Sequence, residues 1–383
     1  MNNYKVFTSE FVGNGHPDKL CDLISDAILT YCLENDKSSR VAVETMAKDN
    51  TIVLGGEVTT KADLSMDVLE KLVKGVLKKV GYTYEPTIMN LLNEQSSDIA
   101  LGTNDDVGGA GDQGIMFGYA CNDTEDFMPM SYSIARSILR KLEFDVLYDD
   151  LGPDMKSQVS YDYETNSVLK VLVSVQHKSD KDHDYVYDIV KRVVGEVLDE
   201  YKVSYDSIDS ILLVNPTGRF VIGGPEGDCG VTGRKIVVDS YGAKARVGGG
   251  AYSGKDPTKV DRSAAYMCRY IAKNIVMSGI CSECEVYLSY AIGVSQPFSL
   301  EVVTDNKLGS SFDRILSNFV SSYFGLSPRE IISYLNLKDL DYISIDMGNI
   351  YGDNVLGIVQ PWEEEEPVFG ARLKRLFLKE LNK

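Results

Sequence analysis

Short runs rich in β-branched and aromatic residues, several of them too close together to hold a helix in between, constrain this chain most. They lie at residues 40–43, 51–58, 115–120, 168–176, 210–214, 236–238 and 284–293, and runs of this kind read as strands. Parallel neighbours need a crossover of a dozen residues or more, so the closely joined pairs must be antiparallel. Helical stripes fill the longer gaps. After Pro17 the apolar residues Leu20, Leu23, Ile24, Ala27, Ile28 and Tyr31 fall on one face of a helix. Residues 66–80, 185–201 and 260–278 repeat the pattern, the last closed by Gly279 as a C′ residue. Strands and helices alternating in blocks predict an α+β fold with mixed or antiparallel sheets. At 383 residues the chain exceeds the roughly 250–300 residues one core supports, so two or three domains are expected. No low-complexity linker separates them.

Charge narrows the function classes. The net charge of −18 argues against nucleic acid and anionic membrane as partners, since both are bound through excess Lys and Arg. Within this acidic chain, residues 234–262 carry seven basic residues (Arg234, Lys235, Lys244, Arg246, Lys255, Lys259, Arg262) against three acidic ones. A local cationic island suits a small polyanionic ligand. No segment approaches the roughly 20 apolar residues of a membrane span, and the start MNNYKVFTSE has no signal-peptide pattern, so a cytoplasmic location is expected. Seven scattered cysteines read as reduced, packed thiols, and Cys281 with Cys284 as a lone structural pair in a loop.

Four stretches carry chemistry. In Gly15-His16-Pro17-Asp18-Lys19, proline at N1 starts a helix, so His16 stands at its N-cap where free amides and the dipole favour phosphate. Asp18 and Asp22 share one face of that helix. They suit Mg²⁺, which takes one or two carboxylates plus substrate phosphates, and equally suit simple complementarity to the dipole. In 248–261, GGGAYSGKDPTKVD, the glycines permit close backbone approach and Lys255 and Lys259 spread positive charge. Asp256 stands where a P-loop needs a hydroxyl, so this is not a P-loop. Asp261 falls in the first turn of the next helix. In 215–228, Phe220 sits among turn residues where its ring stacks on a base or joins the core. Asp228 is an acceptor for a hydroxyl or ammonium group, or a turn residue. Finally, 109–114, GAGDQG, follows the aperiodic 95–107 stretch, a lid or a plain surface loop.

Taken together and in order, GHPDK at 15–19, GGE at 55–57, GAGDQG at 109–114, PTGRF at 216–220, GDCGVTGRK at 227–235 and GGGAYSGKDPTKVDRSAAY at 248–266 resemble the methionine adenosyltransferase family. The resemblance spans about residues 6–305. It implies attack of methionine sulfur on C5′ of ATP, then cleavage of the released triphosphate to diphosphate and phosphate. It further implies catalytic roles for His16, Lys156, Arg234, Lys235 and Lys255, which also bind ATP together with Asp154, Arg219, Phe220, Asp228 and Ala251. Glu57, Gln95, Asp228 and Lys259 are implied for methionine, with Asp112 close to the substrates. Two Mg²⁺ per active site, held by Asp18 and Asp261, and one K⁺ per subunit, held by Glu44, follow from the same resemblance. So do three similar α+β domains about a pseudo-threefold axis (1–101, 109–222 and 223–383) with strands exchanged between them. Dimers with active sites at the interface, paired into tetramers, are implied as well. The chain departs from the family pattern at Val247, in the shortened 95–112 segment, and at MSYSIAR (130–136) and QPWEEEEPVF (360–369). A different Mg-dependent phosphotransferase or a catalytically silent nucleotide-binding subunit are the competing expectations.

Overall fold

A computed structural model describes residues 5–95, 109–145, 150–305 and 308–382. The chain begins β1 (Val6–Val12), α1 (Pro17–Asn35), β2 (Arg40–Lys48), β3 (Thr51–Thr59), α2 (Met66–Val80) and β4 (Thr87–Asn93). It continues with β5 (Gly114–Cys121), α3 (Met130–Arg140), β6 (Leu151–Asp162), β7 (Ser167–His177), α4 (His183–Tyr201) and β8 (Leu212–Val214). Then come β9 (Gly230–Val231), α5 (Val260–Met277), β10 (Glu283–Tyr290), β11 (Ser299–Thr304) and α6 (Ser310–Tyr323). One unit, β-α-β-β-α-β, thus appears twice in full and a third time without its last strand among the described residues.

Three sheets result, ordered β4-β3-β2-β9, β1-β6-β7-β8 and β11-β10-β5. Each unit gives its first strand away: β1 pairs antiparallel with β6, β5 with β10, and β9 with β2. The exchange closes in a ring, which is the expected threefold arrangement. The two parallel pairs, β3 with β4 and β7 with β8, enclose α2 and α4, as parallel crossovers require.

Helices at 66–80 and 260–277 fall where their stripes predict, and Gly279 takes a left-handed φ of 77° just past α5. Strands β1, β4, β6, β9 and β11 escape the sequence reading. In β1 and β6 the inward positions include Ser9 and Ser157, which the fold satisfies by hydrogen bonds to Gly242 O at 2.9 Å and Ala135 O at 2.7 Å. Small inward hydroxyls break the apolar alternation. The expected strand at 236–238 is instead a helical turn, with Asp239 N–H bonded to Lys235 O at 2.8 Å, and residues 208–211 coil into a short helix before β8.

Helices α1, α3 and α5 lie on the sheets and fill the core. Gly118 of β5 lets α5 come unusually close: a Cβ there would sit 2.0 Å from Cys268 C and 2.2 Å from Arg269 N. Backbone cannot retreat as a side chain can, so Gly118→Ala should lower stability by about 2–3 kcal/mol. A urea melt is the check, and an unchanged midpoint would refute the close approach. The divergent 360–369 segment locks the other side of α5. Trp362 is fully buried and stacks on Tyr266 at 3.7 Å, and Glu363 pairs with Arg269 and Lys273, each at 2.8 Å.

Candidate active site

Chain direction at the end of β1 makes the first half of the site. A Cβ at Gly15 would lie 2.1 Å from Pro153 O, so only glycine lets the chain turn past β6 into α1. His16 caps α1, its Nδ1 accepting the Asp18 N–H at 3.1 Å. That bond fixes the tautomer and leaves Nε2–H as the ring's donor. Burial, with the Lys235 and Lys156 charges, lowers the His16 pKa to about 3, so the ring is neutral.

Asp18, in the first turn of α1, accepts from Lys235 Nζ at 2.6 Å and from the Val231 N–H at 2.9 Å, and Arg234 stands 3.8 Å away. Burial pushes this carboxyl up, but Lys235 and the Val231 amide more than offset it and hold it below its usual range. Arg234 is mostly exposed, a cation with its guanidinium in solvent.

The second half lies at the start of α5. Lys255 Nζ meets Asp261 Oδ2 at 2.7 Å, and a Cβ on Gly250 would fall 2.1 Å from the Asp261 carboxyl carbon. The glycine run therefore drapes over that carboxylate. Gly254, at φ 76°, accepts the Val43 N–H through its carbonyl at 3.0 Å, and Lys255 bridges to Ala42 of β2. Asp256, fully buried, accepts the Val41 and Thr258 amides at 2.8 and 2.9 Å, with Lys259 at 3.5 Å. It braces the loop, which is the physical reason the sequence lacks a P-loop hydroxyl here.

A third group gathers on β6. Asp154 accepts the Gly224 N–H through Oδ2 at 2.8 Å, and its buried Oδ1 has no partner. Burial raises its pKa. Lys156, two residues further along β6, is exposed, and its charge acts on Asp154 against the effect of burial. Gln176 ties this strand to the loop carrying Arg219 and Phe220 through Asp154 N (3.3 Å) and Val221 O (3.0 Å). The loop is fixed again by His177, whose Nε2 accepts the Phe220 N–H at 3.1 Å. The Phe220 ring is half-buried and Arg219 exposed, so the ring belongs to the rim and not to the core. Asp228 is exposed close by and adds negative charge to the surroundings of Asp154. Ala251 packs by Gly233, where a Cβ would be 2.6 Å from its own.

The remaining expected residues stand further out. Glu57 of β3 is in register with Ala42, so Lys255, Ala42 and Glu57 lie side by side over two strand spacings, roughly 10 Å. Gln95, at the edge of the described residues, donates its N–H to Thr59 Oγ1 at 3.3 Å, and the expected lid beyond it to 107 lies outside the described residues. Glu44 faces solvent from β2 opposite Gly55, and Asp112 is exposed, accepting the Gln113 N–H. No hydrogen bond or ion pair among the described residues joins Glu44, Glu57, Gln95 or Asp112 to the cationic cluster.

The sequence reading missed what lies beneath. Lys19 is buried against Asp22 (3.3 Å), Asp239 (2.7 Å) and Asp346 (2.6 Å), and Arg262 clasps Asp26 at 2.9 and 2.7 Å. The four-residue spacing of Asp18, Asp22 and Asp26 inside an apolar stripe was the available signal.

Such a chain is an α+β protein of three strand-exchanging units whose cations and carboxylates converge at two helix starts. Domain models of S-adenosylmethionine synthetase match it throughout: the N-terminal domain at residues 4–100, the central at 107–220 and the C-terminal at 222–364. It is 45% identical over 374 residues to the S-adenosylmethionine synthase of Fusobacterium nucleatum, covering 95% of this chain and 96% of that one. With the S-adenosylmethionine synthase of Mycoplasmopsis pulmonis it shares 44% over 384 residues, 97% of this chain and 99% of the other. Among solved structures it resembles an unusual S-adenosylmethionine synthetase from Campylobacter jejuni, at 37% identity and a TM-score of 0.88, over 98% of this chain and 100% of that one. The chain belongs to the S-adenosylmethionine synthetase family. Its activity is methionine adenosyltransfer.

Proposed function

We propose that this adenosyltransferase works by electrostatic preorganisation around a triphosphate, and one observation carries the reading: a neutral His16, its tautomer fixed by the Asp18 amide, set among Lys235 and Lys156. As the methionine sulfur lone pair forms the S–C5′ bond, the C5′–O bond breaks and its electrons leave with the triphosphate. His16 Nε2–H donates to the oxygen where that charge grows. Lys156, Arg234, Lys235 and Lys255 grip the phosphates, and water then attacks a terminal phosphorus as its bridging P–O bond breaks, so that diphosphate leaves and phosphate remains. The unpartnered Asp154 Oδ1 suits a ribose hydroxyl. Phe220 stacks on adenine, and Arg219, Ala251 and Asp228 complete the nucleotide's contacts. Glu57, Gln95, Asp228 and Lys259 take the methionine ammonium and carboxylate, with Asp112 near them.

Among the described residues no three His, Cys, Asp or Glu side chains cluster as a metal cage. Asp18 and Asp261 fit Mg²⁺ nonetheless, because each offers a carboxylate beside a phosphate-gripping lysine and phosphate oxygens complete the shell. When bound, two Mg²⁺ supply charge neutralisation along the triphosphate. For K⁺, Glu44 brings one exposed carboxylate, and no step is assigned to that ion. Domains at 1–101, 109–222 and 223–383, and a cytoplasmic location, belong to the same proposal. No described helix is long and apolar enough to cross a membrane. A dimer, itself paired into a tetramer, is supported by exposed apolar side chains such as Phe298 (84% exposed), Leu91 and Ile115.

Asp154→Ala should raise the KM for ATP about tenfold and spare the KM for methionine, measured by steady-state kinetics. Equal rises in both would refute the ribose contact. The decisive experiment incubates the purified protein with ATP, L-methionine, Mg²⁺ and K⁺. Expected products are S-adenosylmethionine with stoichiometric diphosphate and phosphate. ADP and a phosphorylated acceptor would mark a phosphotransferase, and no turnover a silent subunit.

A further inference from the structure

Three of the four phosphate-gripping cations, Arg234, Lys235 and Lys255, sit on two loops, 233–235 and 254–255, that have no hydrogen bond to one another among the described residues, while Lys156 stands on β6. Each loop is tied instead to α1. The Gly233 N–H donates to Asp22 Oδ1 at 2.8 Å, and the Gly254 N–H donates to Asp26 Oδ1 at 2.7 Å. Both glycines are left-handed, at φ 79° and 76°, and each is followed directly by its loop's cations: Arg234 and Lys235, or Lys255. Asp22 and Asp26 lie one helical turn apart and are essentially unexposed. Each anchor is held from behind, Asp22 by Lys19 and Asp26 by both bonds of Arg262. Lys19 also holds Asp239, four residues past Lys235, and Asp346, which reaches Ser253 at 3.4 Å. The same buried charges therefore grip both loops a second time.

We propose that Asp22 and Asp26 are positioning residues that set the spacing of the two cationic loops, and so the span of triphosphate the site accepts. Neither is a metal ligand: Asp22 points into the protein to the Gly233 amide and Lys19, and Asp26 to Gly254 and Arg262. The inference rests on the triphosphate reading above and deepens it. A shift of about 1 Å at an anchor moves the whole cation, and misplacements of that size cost about 10²-fold in rate.

Two substitutions at Asp22 separate position from charge. Asp22→Asn keeps an acceptor beside the Gly233 N–H and removes the charge that faces Lys19. Asp22→Glu keeps the charge for Lys19 and displaces the acceptor by a methylene. After a thermal melt establishes folding, calorimetry with inorganic tripolyphosphate reads the grip directly. The asparagine variant should bind within about threefold of wild type and the glutamate variant about tenfold or more weaker. The kcat for S-adenosylmethionine formation should follow the same order with the KM for methionine unmoved. If the glutamate variant does not fold, Asp22→Ser retracts the acceptor without overfilling the site and is expected to match its ranking. Wild-type affinity in Asp22→Glu or Asp22→Ser, or equal loss in Asp22→Asn, would overturn the proposal. A protein that shows the expected ranking yet makes no S-adenosylmethionine would leave the anchors standing and overturn the chemistry.

Discussion

His16→Ala is expected to cut turnover by about 10²–10³-fold while changing ATP affinity little, because the lost donor acts mainly where charge develops. Nδ1 is committed to the Asp18 amide, so Nε2–H is the ring's one donor, and a pKa lowered to about 3 keeps the ring neutral at physiological pH. A donor fixed by its own backbone pays no reorganisation as C5′–O breaks. His16→Asn, with a shorter amide donor, should recover part of the rate. Single-turnover kinetics with ATP affinity measured separately is the check, and a loss confined to affinity would remove the leaving-group role. The same burial has a pH signature. The unfolded ring takes a proton below about 6.5 and the folded ring only below about 3, so the unfolded state binds more protons between these values. Stability from this group therefore falls as pH drops through that window. A His16→Asn protein should lose less stability over it, read from urea midpoints.

Legibility followed how locally each feature is written. GHPDK places a histidine, a proline and an aspartate at one helix start, and local rules give their cap geometry. The ring-like strand exchange has no local trace: β9 is two residues long and pairs with β2 about 185 positions away. Ser9 and Ser157 hide β1 and β6 by occupying inward positions with hydroxyls that only tertiary partners satisfy. Asp154 reads as an isolated polar residue until the fold buries one of its oxygens without a partner. Spacing alone puts Asp22 on one helix face with Asp18, where the pair suits Mg²⁺ or plain complementarity to the dipole. The fold divides that pair: Asp18 meets Lys235 beside the site, and Asp22 turns to Gly233 and Lys19. Helical spacing fixes a shared face but not what packs on each turn of it.

Asp261→Asn should raise the Mg²⁺ concentration for half-maximal activity at least about tenfold and lower kcat by about 10²-fold, with little loss of stability. Asparagine keeps the shape over which Gly250 drapes, so the loop that carries Lys255 has no steric reason to move. What it removes is the negative charge now paired with Lys255 at 2.7 Å. Two roles for that charge give opposite results. If Asp261 merely neutralised Lys255, the variant would leave a bare ammonium in the site, triphosphate would bind more tightly, and the Mg²⁺ curve would stay in place. If the carboxylate is a metal ligand, triphosphate carried as its Mg²⁺ complex binds more weakly and the curve moves to higher Mg²⁺. Titrating activity with Mg²⁺ at saturating ATP, beside calorimetry with tripolyphosphate with and without Mg²⁺, separates the two, because only the ligand role makes the loss depend on the metal.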